Sequence, residues 1–225
     1  MEKTKPRLKE EFNKKIAKEL QKELEYASIM AVPHLKKIVI NSGVGEAVDN
    51  KVALEEVVEI LTKISGQKPI ITKAKKAIST FKIRKGQEIG AKVTLRGDRM
   101  WYFFDKLVNI VFPRVKDFRG LPPKAFDGSG NYSVGIEEHT VFPEIDTNKV
   151  QKVRSLQVIL VIKSLSDEDS KKFLEKFGFP FAQIVQKKEA EVEEPKPQSE
   201  DESESSEEKA GDKDEKTNEE AGENK

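Results

Sequence analysis

Between Leu8 and Leu24 an apolar residue returns at every fourth position, as Leu8, Phe12, Ile16, Leu20 and Leu24, with Lys and Glu filling the intervals. That spacing runs one stripe down a helix of 3.6 residues per turn, and it predicts an amphipathic helix over residues 7–27 with one side buried. Pro33 leads into a strand expected over residues 35–41, closed by the turn Ser42-Gly43-Val44-Gly45. Leu54, Val57, Val58, Leu61 and Ile64 share a face of a second helix, Lys51–Ser65, and Gly66 stands where a C-terminal stop belongs.

The period then changes to two. From Ile89 to Arg96 the chain alternates, with Ile89, Ala91, Val93 and Leu95 to one side and Gly90, Lys92, Thr94 and Arg96 to the other. The first set suits a core and the second a basic, hydrogen-bonding face. Residues 80–84 alternate in the same way, which predicts a strand with Lys82 and Arg84 on one face and a hairpin turn through Lys85-Gly86-Gln87-Glu88. A third helix is expected from an N-cap at Asp98 through Met100, Phe103, Phe104, Leu107 and Val111, ended by Pro113. After a Gly- and Pro-rich loop over residues 114–132 come strands at Tyr132–Ile136 and Leu156–Lys163. A last helix over residues 166–177 opens with the capping box Ser166-Asp167-Glu168-Asp169 and stops at Gly178. The expected fold class is α+β, a mostly antiparallel sheet with helices packed on one face.

Composition divides the chain. Residues 1–188 hold 36 basic and 24 acidic side chains, net +12, whereas residues 189–225 hold 5 basic and 16 acidic, net −11. The overall charge of +1 hides this asymmetry, which points to polyanionic partners. With almost no apolar residues to offset the entropy of ordering, residues 189–225 are expected to form a disordered acidic C-terminal tail beside a single basic domain at 1–188.

Many chemistries lack their residues. The longest aliphatic run, Val158 to Ile162, is far below the roughly 20 residues of a membrane helix, and residues 1–7 show no secretory signal, so no membrane partner is expected. The absence of cysteine removes thiol catalysis and cysteine-held metals and fits a reducing, cytoplasmic location. His34 and His139 are read as surface or half-buried structural residues. Gly43-Val44-Gly45-Glu46-Ala47-Val48 follows a strand as a dinucleotide fingerprint would, but valine stands where that fingerprint needs a small residue, so a turn is the better reading. Neither a phosphate loop nor a nucleophile elbow occurs. No catalytic residue, metal or cofactor is expected.

Between Lys63 and Arg99 lie 11 basic and two acidic residues. Lysines and arginines gathered on one strand face release counterions when they meet phosphates, and Asn41, Gln67 and Thr94 add directional hydrogen bonds. A sheet face beside an irregular loop suits RNA, with its wide minor groove, splayed loops and 2′-hydroxyls.

Six segments fix a more specific likeness: Ile40-Asn41-Ser42-Gly43-Val44-Gly45-Glu46, Ser65-Gly66-Gln67-Lys68-Pro69, Thr72-Lys73-Ala74-Lys75-Lys76, Ile89-Gly90-Ala91-Lys92-Val93-Thr94-Leu95-Arg96-Gly97-Asp98-Arg99-Met100, Pro113-Arg114-Val115-Lys116-Asp117-Phe118-Arg119-Gly120 and Phe126-Asp127-Gly128-Ser129-Gly130-Asn131-Tyr132-Ser133-Val134-Gly135. In this order they resemble the bacterial large-subunit ribosomal protein five family, over residues 1–181. The resemblance implies a non-enzymatic constituent of the cytoplasmic ribosome that binds 5S rRNA in the central protuberance, among neighbouring large-subunit rRNA and proteins. It implies rRNA contacts at Asn41, Gln67, Lys92, Thr94 and Arg96. It also implies contacts to P-site tRNA from Lys73, Lys75 and Lys76, and to a small-subunit head protein, as an intersubunit bridge, from Arg114, Lys116, Phe118 and Arg119. The acidic extension departs from the family pattern, as do Ser42 and Ser129.

Overall fold

Along the strand His34–Gly43 (β1), Ile38, Ile40 and Ser42 are buried while Lys37, Val39 and Asn41 are only half covered. This period of two sets β1 in the middle of a five-stranded sheet in the computed structural model of the chain, which describes residues 5–150 and 152–182. The other strands are Ile70–Lys73 (β2), Glu88–Leu95 (β3), Tyr132–Ile136 (β4) and Leu156–Lys163 (β5), in the spatial order β2-β3-β1-β5-β4. Every pairing is antiparallel. The expected tail and the boundary at residue 188 lie outside the described residues.

Among the described residues, four helices cover one face of this sheet. The first (α1) runs Arg7–Glu11, widens into a π segment at Phe12–Ile16 and continues through Ala17–Glu23. It stops short of residue 27 because the chain turns at Glu25, which adopts a left-handed φ of 53°. The second (α2) occupies Lys51–Ser65 as its apolar stripe requires. The Asn50 side chain caps it by accepting the Val52 N–H, and Gly66, at φ 64°, ends it.

The third (α3) runs Gly97–Lys106, through a second π segment at Leu107–Val111, to Phe112–Arg114. Two expectations fail here. Arg96 holds the N-cap position, and Asp98 sits inside the first turn, where it pairs with Lys9 at 2.6 Å. Pro113 lies within the final turn, and the chain leaves the helix at Val115. The fourth (α4) spans Asp167–Lys176, with Ser166 Oγ accepting the Asp169 N–H at 3.2 Å.

Aromatic rings join these helices. Phe12 of α1 lies 5.8 Å from Trp101 of α3 and 5.9 Å from Phe173 of α4, and Trp101 and Phe104 close on Phe177 at 5.7 and 5.5 Å. Phe179 and Phe112, 5.3 Å apart, extend the cluster, and Tyr132 of β4 meets Phe179 at 5.4 Å, so the rings bind the helical layer to the sheet. One continuous apolar core results, containing Ile38, Ile40, Val93, Leu95, Val158 and Leu160 from the strands. The aromatic density of α3 is thus core packing.

The expected strand over residues 80–84 does not form. Ile78 and Ile83 make a single antiparallel bridge, the Lys82 N–H donates to the Ser79 carbonyl at 2.9 Å, and Lys82 takes a φ of 55°, so the segment is a tight turn. The pairing partner of β3 on this side is β2 instead, at the sheet edge.

Candidate nucleic-acid interface

The face of the sheet away from the helices carries a row of residues fixed by strand register. Ile70 pairs with Lys92, Lys92 with Asn41, Asn41 with Gln157, and Gln157 with Gly135, one from each strand. Cross-strand partners point to the same side, so at about 4.8 Å per strand the row crosses roughly 20 Å. The next row sets Thr94 beside Val39, Ile159 and Ser133. Lys92 and Gln157 are exposed, Asn41 and Thr94 half-buried, and Arg96 is exposed one residue past the end of β3. Alternation thus places Lys92, Thr94 and Arg96 outward as expected, clear of the helices.

The polar groups of this face are uncommitted. The side chains of Asn41, Gln67 and Thr94 make no hydrogen bond, and Lys92 and Arg96 no ion pair, among the described residues. Gln67 is half-buried and stands outside the rows, between α2 and β2, where its backbone is held by Ser65 Oγ: the Gln67 N–H donates to it at 3.2 Å, and the hydroxyl donates to the Gln67 carbonyl at 3.0 Å.

Lys73, Lys75 and Lys76 are exposed at the edge of the sheet. Lys73 ends β2 and pairs with Glu88 at 3.3 Å. Lys75 and Lys76 belong to the excursion between β2 and β3, whose neck is pinned by Ala74 N–H to Gln87 carbonyl at 2.8 Å and Gly86 N–H to Ala74 carbonyl at 2.9 Å. Buried Ala74 anchors that neck. Lys116, Phe118 and Arg119 sit elsewhere, against the opposite edge strand, and Arg114 lies beside Lys116 in a neighbouring hollow with Glu138 and Val141. Lys116, Phe118 and Arg119 border a cavity of about 370 Å³ whose walls include Phe112, Leu121 and Val134 to Glu138. There the Phe118 ring stacks on Phe112 at 5.7 Å, while Lys116 stands 3.9 Å from Glu138. The structure therefore gathers Asn41, Lys92, Thr94 and Arg96 on one face and separates the two other residue groups to opposite edges.

Two features escape a reading of single segments. Gln157 enters the central row only through the β1–β5 register, which alternation within one strand does not reveal. Phe81, 67% exposed, rides on the basic turn, its signal being an aromatic residue between lysines and arginine.

The Gly43-Val44-Gly45-Glu46 turn has a structural use. It passes into a short 3-10 turn at Gly45–Val48, and Glu46 is held by Lys152 and by Arg154, the latter at 3.2 Å. The Lys152 hydrogen bond, reinforced by both cations, keeps the Glu46 carboxyl below its usual pKa. The adjoining His139 is fully buried, against the expectation of a surface or half-buried residue, with Nδ1 3.0 Å from the Arg154 N–H it accepts. Burial pushes its pKa down. No group of His, Cys, Asp and Glu among the described residues could hold a metal ion.

Residues 28–84 match the family model described as ribosomal protein L5, and residues 88–181 match the model described as the C-terminus of that ribosomal family. The chain is 54% identical over 175 residues to the large ribosomal subunit protein uL5 of Macrococcus caseolyticus (strain JCSC5402), covering 78% of this chain and 98% of that one. It is 56% identical over 173 residues to the protein of the same description from Acholeplasma laidlawii (strain PG-8A), covering 77% of this chain and 96% of that one.

Proposed function

Since the chain belongs to the ribosomal protein L5 family, and is thereby a structural, non-enzymatic component of the large ribosomal subunit, we propose that its open sheet face binds 5S rRNA and helps attach it in the central protuberance. What carries this reading is the lateral pairing of Asn41 with Lys92 on a face that, among the described residues, has no helix over it, beside a Thr94 hydroxyl and an Arg96 guanidinium without partners among those residues. Lys92 and Arg96 neutralise phosphates, Asn41 and Thr94 fix the register by hydrogen bonds to sugars and base edges, and Gln67 extends the contact at the β2 edge.

The rest of the proposal follows the two sheet edges. At the β2–β3 edge, Lys73, Lys75 and Lys76 meet the backbone of P-site tRNA. At the β4 edge, Arg114, Lys116, Phe118 and Arg119 meet a small-subunit head protein, bridging the subunits. Neighbouring large-subunit rRNA and proteins complete the surroundings, in the ribosomes of the cytoplasm.

The test is binding of the purified full chain to folded 5S rRNA and to an unrelated RNA of equal length. Asn41→Ala and Thr94→Ala are each expected to weaken binding to 5S rRNA about fivefold to tenfold and to leave the unrelated RNA within about twofold, as loss of one directional hydrogen bond near a charged partner predicts. Unchanged discrimination in both variants would refute the assignment of this face.

A further inference from the structure

Residues 74–87 form a built projection rather than a slack loop. Its neck is closed by the paired backbone bonds of Ala74 with Gly86 and Gln87. Above it, Ile78 and Ile83 exchange two hydrogen bonds of 2.9 and 3.0 Å, so the four residues between them are presented as one fixed turn. Gln87 braces the base, its side chain accepting the Arg84 N–H at 3.0 Å and donating to the Val48 carbonyl at 3.3 Å. The ring at the tip, Phe81, is 67% exposed and makes no ring contact among the described residues. Around it the projection holds Lys75, Lys76, Lys82, Arg84 and Lys85 and no acidic residue, and none of the five has an ion-pair partner among the described residues.

We propose that Phe81 is an aromatic finger that stacks on an unpaired base of an RNA loop while the surrounding cations hold the phosphates on either side. Every base offers a π face, and single-stranded RNA is bound by this combination of a stacking ring and a positive rim. An apolar protein surface would leave five uncompensated cations at the contact. An RNA duplex, with its bases already stacked, has no face to offer the ring. The inference rests on reading this projection as an RNA contact and adds which part of the RNA it takes.

The experiment uses the full chain with two probes: an RNA hairpin with an unpaired loop, and the same stem closed as a blunt duplex. Phe81→Ala is expected to weaken hairpin binding about tenfold and to leave duplex binding within about twofold, the loss expected for one stacked base. Phe81→Trp restores the hairpin affinity, and its emission is quenched by the hairpin and not by the duplex; the protein's own Trp101 is buried and serves as a constant background. Equal hairpin affinity for the wild type and Phe81→Ala, or quenching by both probes, overturns the proposal. The double variant Lys75→Ala/Lys76→Ala separates the two readings. Reduced binding of both probes there, with Phe81→Ala inert, leaves the electrostatic RNA contact standing and removes the finger. A selective Phe81→Ala loss with the lysine variant inert keeps the stacking finger and removes Lys75 and Lys76 from the phosphate contacts.

Discussion

A Cβ placed at position 90 would lie 2.7 Å from the Ser42 carbonyl oxygen of β1 and 2.9 Å from Thr72 Oγ1 of β2, closer than real carbon contacts come. Gly90 is therefore the residue that lets three strands approach one another, and Gly90→Ala is expected to destabilise the fold by about 1–3 kcal/mol, the usual cost of overpacking. Urea unfolding measures it; a midpoint equal to wild type would mean that the strands part freely. His139 makes a different kind of prediction. Its Nδ1 lies 3.0 Å from the Arg154 backbone nitrogen and 3.2 Å from the Arg154 carbonyl oxygen, and its Nε2 finds no partner among the described residues. Burial lowers its pKa in the fold below the ordinary 6.5; the backbone hydrogen bond with Arg154 opposes this, the Arg154 charge adds to it and Glu138 works against it. Well above pH 6.5 the ring is neutral folded or unfolded and contributes no slope; as pH falls through 6.5 the unfolded chain takes up a proton that the folded chain resists, and stability declines. As pH falls from 6.5 toward about 5, before carboxylates dominate, wild type is expected to lose stability and His139→Asn to lose less. Parallel pH profiles for the two proteins would exclude His139 as the source.

At the level of elements, α4 organises the loop ahead of it. The Asp167 carboxylate, in its first turn, accepts the Gly128 N–H at 3.0 Å and the Gly130 N–H at 2.6 Å, and so ties a Gly-rich loop to a helix N-terminus that already favours negative charge. Asp167→Ala should free those two amides: their hydrogen exchange is expected to accelerate about tenfold or more, with the exchange of β5 amides unchanged. Elements of this sort were legible to different degrees. The first three helices and β3 follow from periods of 3.6 and 2, because each buries one face and leaves the other wet, whereas α4 is marked by its capping box and the stop at Gly178. β2 was not legible, since Ile70, Ile71 and Lys73 are exposed on a sheet edge and burial imposes no alternation there. The false strand at residues 80–84 has the converse cause: five alternating residues also describe a turn that throws Phe81 out and folds Lys82 back through a left-handed φ. Of the candidate interface, the outward set Lys92, Thr94 and Arg96 could be read from one strand, but its junction with Asn41 and Gln157 depends on pairings between segments far apart in the chain, which no local pattern encodes.

For the molecule as a whole, binding of RNA by a face of fixed cations should weaken with salt, log affinity falling with log salt at roughly −0.7 to −0.9 per phosphate neutralised. Lys92→Ala is expected to reduce that slope by about one contact's worth across all RNA sequences, whereas Thr94→Ala should lower affinity at unchanged slope. Identical slopes for Lys92→Ala and wild type would remove that lysine from the phosphate contacts. The strand order has a further bearing on how such a surface comes into being. β1 lies between β3 and β5, so the residue that opens the row, Asn41, waits for Lys92 on one side and Gln157 on the other. A growing chain that has emerged only as far as residue 84 carries the first strand with neither neighbour, and one cut there should stay unfolded by circular dichroism. Synthesis must clear β5 before the platform exists, which makes recruitment of this protein to its RNA a step that waits for nearly the whole folded part and cannot begin on a chain that stops short of β5.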